Sequence, residues 1–162
     1  MADPSWDYQS GKLTGGIFEI APHQLPLLSA IRRRLVETAS SGLLRTFKEA
    51  WSGPSPRTDL QAHVGPFASG SLVLADKSRF QELHTQHRQL LGIDMEVYGV
   101  YAAASEAPAP TPHAFAIKGV SDFGDETKAD DFREFAAYVS AKTFSAFVES
   151  HYRDLRNILW GD

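Results

Sequence analysis

The chain has 162 residues, of which 43% are hydrophobic and 22% charged, the balance of an ordinary globular domain. Its formal net charge of −4 at pH 7 gives no electrostatic reason to expect a nucleic acid as partner. It contains no cysteine, which excludes disulfides and thiolate chemistry. It has neither an apolar run of membrane-spanning length nor a signal-peptide pattern at its start, so we expect a cytoplasmic protein without membrane contact.

The first fifty residues predict extended structure followed by helix. Residues 5–20 are rich in aromatic and branched side chains and are interrupted by glycines, which is typical of two short strands or an extended arm around a turn. Apolar residues then recur at spacings of three and four, which predicts an amphipathic helix over 27–40 that can continue through 43–51. Three consecutive arginines, 32–34, favour a solvated helix face, with a phosphate site as the alternative.

The middle of the chain predicts a loop, a strand and a second helix. Residues 52–59 have the composition of a loop. Residues 60–76 indicate a strand, a Gly/Ser turn and a second short apolar run. Residues 77–91 predict a polar helix with apolar side chains along one side.

The remaining segments complete an alternation of strands and helices. Residues 93–104 begin like a strand and turn into a helix of small residues, and the proline-rich stretch 105–112 is a loop. Residues 113–120 are a candidate buried strand, and residues 131–151 predict a helix with one apolar stripe. The order predicts an α/β domain over 1–162, with helices covering a central sheet.

Polar residues follow three of the predicted apolar runs directly: Ser69-Gly70, Met95-Glu96 and Ser121-Asp122. Ligands of α/β sheets collect beyond the carboxyl ends of the strands. Each pair alone has a simpler interpretation, as a turn, a helix-dipole partner or a cap. The three pairs in this order favour a functional site.

Three stretches carry a family resemblance: "VGPFASGSLVLAD", "GIDMEVYGVYAAA" and "AIKGVSDFGDETKADDFREFAAYVSAKTFSAFVES". They resemble the purine nucleoside phosphorylase and nucleosidase superfamily, above all the methylthioadenosine/S-adenosylhomocysteine nucleosidases, in which the Met-Glu and Ser-Asp pairs are signature elements. The likeness covers 64–150 well and "ADPSWDYQSGK" more loosely. It implies a nucleoside-phosphorylase-like α/β fold, with a central mixed sheet flanked by helices.

The resemblance also implies roles for individual residues. Glu96 matches the glutamate that accepts hydrogen bonds from the ribose hydroxyls, and Met95 the methionine packed against the sugar. Asp122 matches the acid that donates a proton or a strong hydrogen bond to purine N7. The remaining matches line the base pocket or hold its loops, and they are Ser69, Val73, Leu74 and Ser121.

These residue types suit cleavage of an N-glycosidic bond. Breaking that bond gives an oxocarbenium-like ribose and pushes negative charge into the departing purine. An acid at N7 neutralises this charge, provided that burial keeps its proton in place, and such catalysis is worth roughly 10²–10⁴-fold. A carboxylate on the ribose diol fixes the sugar and favours the positive charge that develops on it.

The chain departs from the family pattern in two ways. Set beside the family, we expect it to lack the amino-terminal strands, which supply a phosphate-binding segment in phosphorylases and a water-positioning acid in nucleosidases. It would then be either a fragment of a larger protein or a natural remnant. It also has Asp94 where the family commonly has glutamate. We therefore expect the chain alone not to turn over nucleosides, and we expect it to form a homo-oligomer, with contacts near Tyr98 and Tyr101.

Two functions follow from this interpretation. The first is cleavage of a purine nucleoside by a nucleosidase or a phosphorylase, with this chain as the base- and ribose-binding half; its partners are a purine nucleoside and, for phosphorolysis, phosphate, without metal or cofactor. The second is a catalytically inactive nucleoside-sensing or protein-interaction module of a larger signalling protein. A generic α/β domain whose acids are all solvated is the remaining alternative.

Overall fold

The computed structural model describes residues 1–72, 77–122 and 132–160. Three parallel strands form the main sheet in the order β1-β4-β5, and two antiparallel strands, β2 and β3, form a separate hairpin. The strands are β1 Ala2–Asp7, β2 Gly11–Thr14, β3 Ile17–Ile20, β4 Gly65–Ser69 and β5 Gly92–Asp94. The helices are α1 Ser29–Ala39, α2 Leu43–Glu49, α3 Lys77–Gln86, α4 Val97–Glu106 and α5 Arg133–Trp160.

Helices cover both faces of the main sheet, so the predicted α/β class is confirmed. Successive strand residues point to opposite faces, and β4 shows this with Phe67 and Ala68. Phe67 belongs to a buried cluster with α1, α4 and α5, whereas Ala68 packs with Trp6 of β1 and Leu83 of α3. The sheet is therefore the middle layer of three, and the ends of its strands are the places left open to a ligand.

The hairpin confirms the extended structure predicted for residues 5–20. Gly15 and Gly16 form its turn with φ of 58° and 83°, a left-handed pair that glycine adopts most easily. Leu13 and Ile17 on the two strands are 71% and 69% exposed, so the hairpin stands out from the domain with apolar side chains uncovered.

The predicted strand over residues 113–120 is wrong. The segment runs beside β1 and joins it through the Ala2 N–H, which donates to the Ala116 carbonyl at 3.2 Å. The next β1 donor on that edge would come from Pro4, which has no N–H. Beyond it, the backbone of Ser5 pairs with Leu25 instead. The edge of β1 is thus occupied or without a donor, and no ladder forms.

The predicted helices are all present. Helix α5 is longer than predicted, because Leu155 continues the apolar stripe eight residues beyond Phe147.

The three arginines of α1 are not a uniformly solvated face. Arg32 pairs with Asp3 at 2.6 Å, and Arg34 reaches Asp154 of α5 at 2.6 Å. Within the described part of the chain, no helix combines the length and apolarity needed to cross a membrane.

Candidate functional site

The carboxyl ends of β4 and β5 bring Ser69 and Asp94 side by side. The two residues are register partners, and the Ser69 hydroxyl donates to Asp94 Oδ1 at 2.5 Å. Because that bond uses the one hydroxyl proton of Ser69, Ser5 Oγ of β1 must be the donor in its 3.2 Å contact with Ser69 Oγ. All three residues are buried, so the strand ends are joined by a polar network shielded from water.

The same network fixes the start of α4. The Val97 N–H donates to Asp94 Oδ2 at 3.1 Å, and the Tyr98 N–H donates to Ser69 Oγ at 2.9 Å. Two of the free N–H groups at the amino end of the helix thereby find acceptors. Met95 and Glu96 form the link between β5 and α4, and both are exposed. Exposure makes the Glu96 carboxylate accessible to a solute at the end of the sheet.

Lys118 joins this network from the segment that runs beside β1. Its Nζ lies 2.6 Å from Glu96 Oε2 and 3.3 Å from Asp94 Oδ2. Burial alone would lower the pKa of Lys118, but the hydrogen bond with Glu96 and the charge of Asp94 outweigh it and raise the pKa above its ordinary value. Lys118 therefore stays charged between two carboxylates.

Ser121 and Asp122 follow Lys118 closely in the chain and are half-buried. The Ser121 hydroxyl donates to Asp122 Oδ2 at 3.2 Å. Both residues line a cavity of about 570 Å³ beneath α5, whose wall also includes Phe135 and Val139. This volume lies within the range of ligand pockets.

The structure divides the predicted site residues into two groups. Ser69 and Glu96 belong to the polar network at the ends of the strands, and neither lines the cavity beside Asp122. Lys118, which was not among the predicted site residues, connects the two groups, because it contacts Glu96 and lines the cavity. Val73 and Leu74 lie outside the described residues, as do residues 123–131 after Asp122.

The sequence interpretation missed Lys118. The signal that could have found it is a single cation within the apolar approach "AIKGV" to the Ser-Asp pair. A lysine there needs a carboxylate partner if it is even partly buried. The nearest acidic candidates at another strand end are Asp94 and Glu96.

Chemically, this end of the sheet offers an accessible carboxylate held by an ion pair and a second carboxyl in the wall of a cavity. The first suits vicinal hydroxyl groups as hydrogen-bond donors. The second, partly withdrawn from water, suits proton donation to a neighbouring base.

Two longer proteins share sequence with this chain. It is 37% identical over 146 residues to the uncharacterized protein y4jS of Sinorhizobium fredii, covering 86% of this chain and 35% of that protein. It is 35% identical over 74 residues to the ATP nucleosidase Cap17 of Escherichia coli, covering 46% of this chain and 14% of that protein. The chain thus spans about a third of the length of y4jS and a smaller part of Cap17.

Two solved nucleosidases share its fold at low sequence identity. The S-adenosylhomocysteine nucleosidase of Streptococcus pyogenes superposes with a TM-score of 0.64 at 18% identity, over 92% of this chain and 58% of the enzyme. The 5′-methylthioadenosine/S-adenosylhomocysteine nucleosidase of Helicobacter pylori gives 0.62 at 17% identity, over 92% of this chain and 59% of the enzyme. The sequence model described as the phosphorylase superfamily matches residues 9–151. By that match, the chain belongs to the phosphorylase superfamily.

Proposed function

We propose that this chain carries the ribose- and base-contacting part of a site that cleaves the N-glycosidic bond of purine nucleosides. The observation that carries the proposal is the contact of 2.6 Å between Lys118 and Glu96. It brings the Met-Glu link and the segment leading to Ser121 and Asp122 to the same end of the sheet, in a chain that belongs to the phosphorylase superfamily.

In the proposed complex, Glu96 accepts hydrogen bonds from the ribose hydroxyls and Met95 packs against the sugar. Both side chains are exposed and so are accessible to a ligand. Val73 and Leu74 lie outside the described residues, and the family resemblance is the ground for proposing that they contact the base. Ser69 acts indirectly, because its hydroxyl is already bonded to Asp94, Tyr98 and Ser5 within the protein.

Asp122 is the proposed acid for the leaving purine. It donates its proton to N7 as the glycosidic bond breaks, so that the base departs neutral, and the oxocarbenium-like ribose is taken by water or by phosphate. Ser121 holds the carboxyl by its hydrogen bond to Oδ2.

The ligands and names of the similar proteins support an adenine-like base. The Streptococcus pyogenes enzyme is in complex with 5-methylthiotubericidin, and the Helicobacter pylori enzyme with an amino-pyrrolopyrimidine on a pyrrolidinol. The partly matching Escherichia coli protein is an ATP nucleosidase. We therefore place adenine nucleosides and nucleotides first among the candidate substrates.

The test is base release from a panel of adenosine, methylthioadenosine, S-adenosylhomocysteine, inosine and ATP, with and without phosphate. It uses the protein as its gene encodes it, with Asp122→Asn as the matched variant. We expect release of a purine that Asp122→Asn reduces at least a hundredfold. Stimulation by phosphate would identify phosphorolysis, and its absence hydrolysis. If no purine is released, the proposed reaction is wrong.

The alternative function, a nucleoside-binding module without catalysis, is favoured by one finding. The chain corresponds to only 35% of y4jS and 14% of Cap17, so the related sequence forms a minor part of longer proteins in both cases. Calorimetry on the same panel distinguishes the two functions. Saturable binding without base release would establish the module.

A further inference from the structure

We propose that Lys118 is a positioning residue, which holds the Glu96 carboxylate in the orientation that receives the ribose hydroxyls. The proposal rests on the function proposed above and deepens it, since it adds a residue on which recognition of the sugar depends. Lys118 is not proposed to touch the substrate.

The Lys118 ammonium contacts two carboxylates, one buried and one exposed. Asp94, whose side chain is 4% exposed, is anchored by the Ser69 hydroxyl and the Val97 N–H, and it contacts Lys118 Nζ at 3.3 Å. Glu96, whose side chain is 62% exposed, is bound to the same Nζ at 2.6 Å. The buried Asp94 carboxylate thus fixes the Lys118 ammonium, and the ammonium in turn fixes the exposed Glu96 carboxylate.

The charges of the three side chains also indicate that Lys118 positions Glu96. Asp94 and Glu96 lie on one short link, and without a cation between them their carboxylates would repel each other. Glu96 would then swing into water, because a long exposed side chain has many rotamers. Lys118 bonds Glu96 Oε2, so Oε1 and the second lone pair of Oε2 stay available to hydroxyl donors.

Partial exposure limits the size of the effect. The Lys118 side chain is 38% exposed, and exposed ion pairs are worth at most about 1 kcal/mol, which corresponds to a change of about fivefold in affinity. Loss of Glu96 itself removes a charged acceptor and should cost more than about tenfold. The expected order of affinity is therefore wild type, then Lys118→Met, then Glu96→Gln.

The test measures Kd by calorimetry, together with KM and kcat where turnover occurs, for adenosine and 2′-deoxyadenosine. Lys118→Met should raise Kd and KM for adenosine about fivefold and those for the deoxy compound less than twofold. Lys118→Arg should restore most of the affinity, because its guanidinium can bond both carboxylates. Lys142→Met, which removes an exposed lysine of α5, is the control and should behave as wild type.

Coupling to Glu96 separates positioning from general destabilisation. The double variant Glu96→Gln/Lys118→Met should bind adenosine no worse than Glu96→Gln alone, within twofold, since Lys118 then has no ribose-binding carboxylate to hold. Equal losses on adenosine and 2′-deoxyadenosine, additive losses in the double variant, or no rescue by arginine would each overturn the proposal.

A titration without substrate keeps this proposal distinct from the proposed function. The carbon-13 NMR shift of Lys118 Cε reports the pKa of its ammonium, and Glu96→Gln should lower that pKa because it removes a negative partner. If no nucleoside binds, the proposed function fails and the ribose assignment with it, whereas this downward shift still establishes the Lys118–Glu96 pairing. An unchanged pKa overturns the pairing, whatever the nucleosides do.

Discussion

Ser69 makes three hydrogen bonds through a single hydroxyl, and it does so at a point that water does not reach. The bonds join three strands and the first turn of α4: Ser5 on β1, Asp94 on β5 and the Tyr98 N–H. Removal of the Ser69 hydroxyl should leave several buried polar groups without partners at once.

Ser69→Ala should therefore destabilise the protein by about 2–3 kcal/mol, because each unsatisfied buried group costs about 1–3 kcal/mol. Urea unfolding followed by circular dichroism measures the change. Ser105→Ala is the matched control: its hydroxyl bonds to the Ala102 carbonyl on the exposed side of α4, and its loss should stay within about 0.5 kcal/mol. Equal effects of the two variants would show that the network does not stabilise the strand ends.

In the full-length protein, Glu96→Gln and Asp122→Asn should impair cleavage in different ways. In the proposed complex, Glu96 holds the ribose in both the ground and the transition state, so its loss should raise KM as well as lower kcat, and should harm ribonucleosides more than 2′-deoxynucleosides. Asp122 is the proposed acid for the leaving base, so its loss should lower kcat most for purines that need protonation at N7.

The decisive comparison adds a nucleoside with an activated leaving group, which departs without an acid. Asp122→Asn should keep much of the wild-type kcat on that compound and lose at least about a hundredfold on adenosine. If Asp122→Asn is equally impaired on both, Asp122 is a structural cap of its loop and not the acid.

Among the elements, α5 packs an apolar face against the core of the domain. Phe147 is fully buried in the cluster shared with α1 and α4, and it contacts the ring of Phe115 at a centroid distance of 4.8 Å. The helix also forms one wall of the cavity beside Asp122 through Phe135 and Val139. Packing of α5 therefore supports both the core and the candidate site.

Phe147→Ala should destabilise the protein by about 3–5 kcal/mol, since it removes a buried ring and leaves a cavity. The matched control is Tyr152→Ala on the same helix, where the side chain is 57% exposed and the expected change is within about 0.5 kcal/mol. Chemical denaturation monitored by fluorescence gives both values. A Phe147→Ala loss below 1 kcal/mol would mean that α5 is not part of the cooperative core.

The helices were predicted from the sequence better than the strands, because the signal for a helix lies within the segment itself. Helical periodicity is contained within each segment, as the apolar stripe of α5 shows. A strand also needs a neighbour with free donors. Residues 113–120 have the composition of a strand, but the edge of β1 offers them Pro4 and a Ser5 already paired with Leu25.

The same reasoning explains what could be predicted of the site. The Met-Glu and Ser-Asp pairs are local signals, and the family resemblance assigned them roles that stay predictions. The contact of Lys118 with Glu96 joins residues 22 positions apart and depends on where an irregular segment runs. Tyr101 was expected near an oligomer contact on the surface. It is instead buried within the chain, and its hydroxyl donates to the Ala2 carbonyl at 2.8 Å.

At the scale of the molecule, the hairpin is the most conspicuous uncovered apolar surface in the described part of the chain. Leu13, Ile17 and Phe18 are 71%, 69% and 37% exposed, on strands whose outer edges are free to pair. We expect the protein to self-associate through this hairpin.

Analytical ultracentrifugation tests the expectation, with a weight-average mass that rises with protein concentration. Leu13→Thr/Ile17→Thr should reduce that rise, because threonine keeps the strand propensity while removing apolar surface. Val100→Thr, which changes an exposed residue of α4, serves as the control. A monomer that persists across the concentration range would contradict the prediction.

The central claim is that a purine nucleoside lies across the end of the sheet, with its ribose at Glu96 and its base at Asp122. A crystal structure of the protein with a non-hydrolysable purine nucleoside analogue tests it most directly. We predict both ribose hydroxyls within hydrogen-bond distance of the Glu96 carboxylate, Lys118 still bound to Glu96, and N7 about 2.6–3.2 Å from an Asp122 oxygen. An analogue bound away from these carboxylates, or with N7 turned from Asp122, would contradict the account.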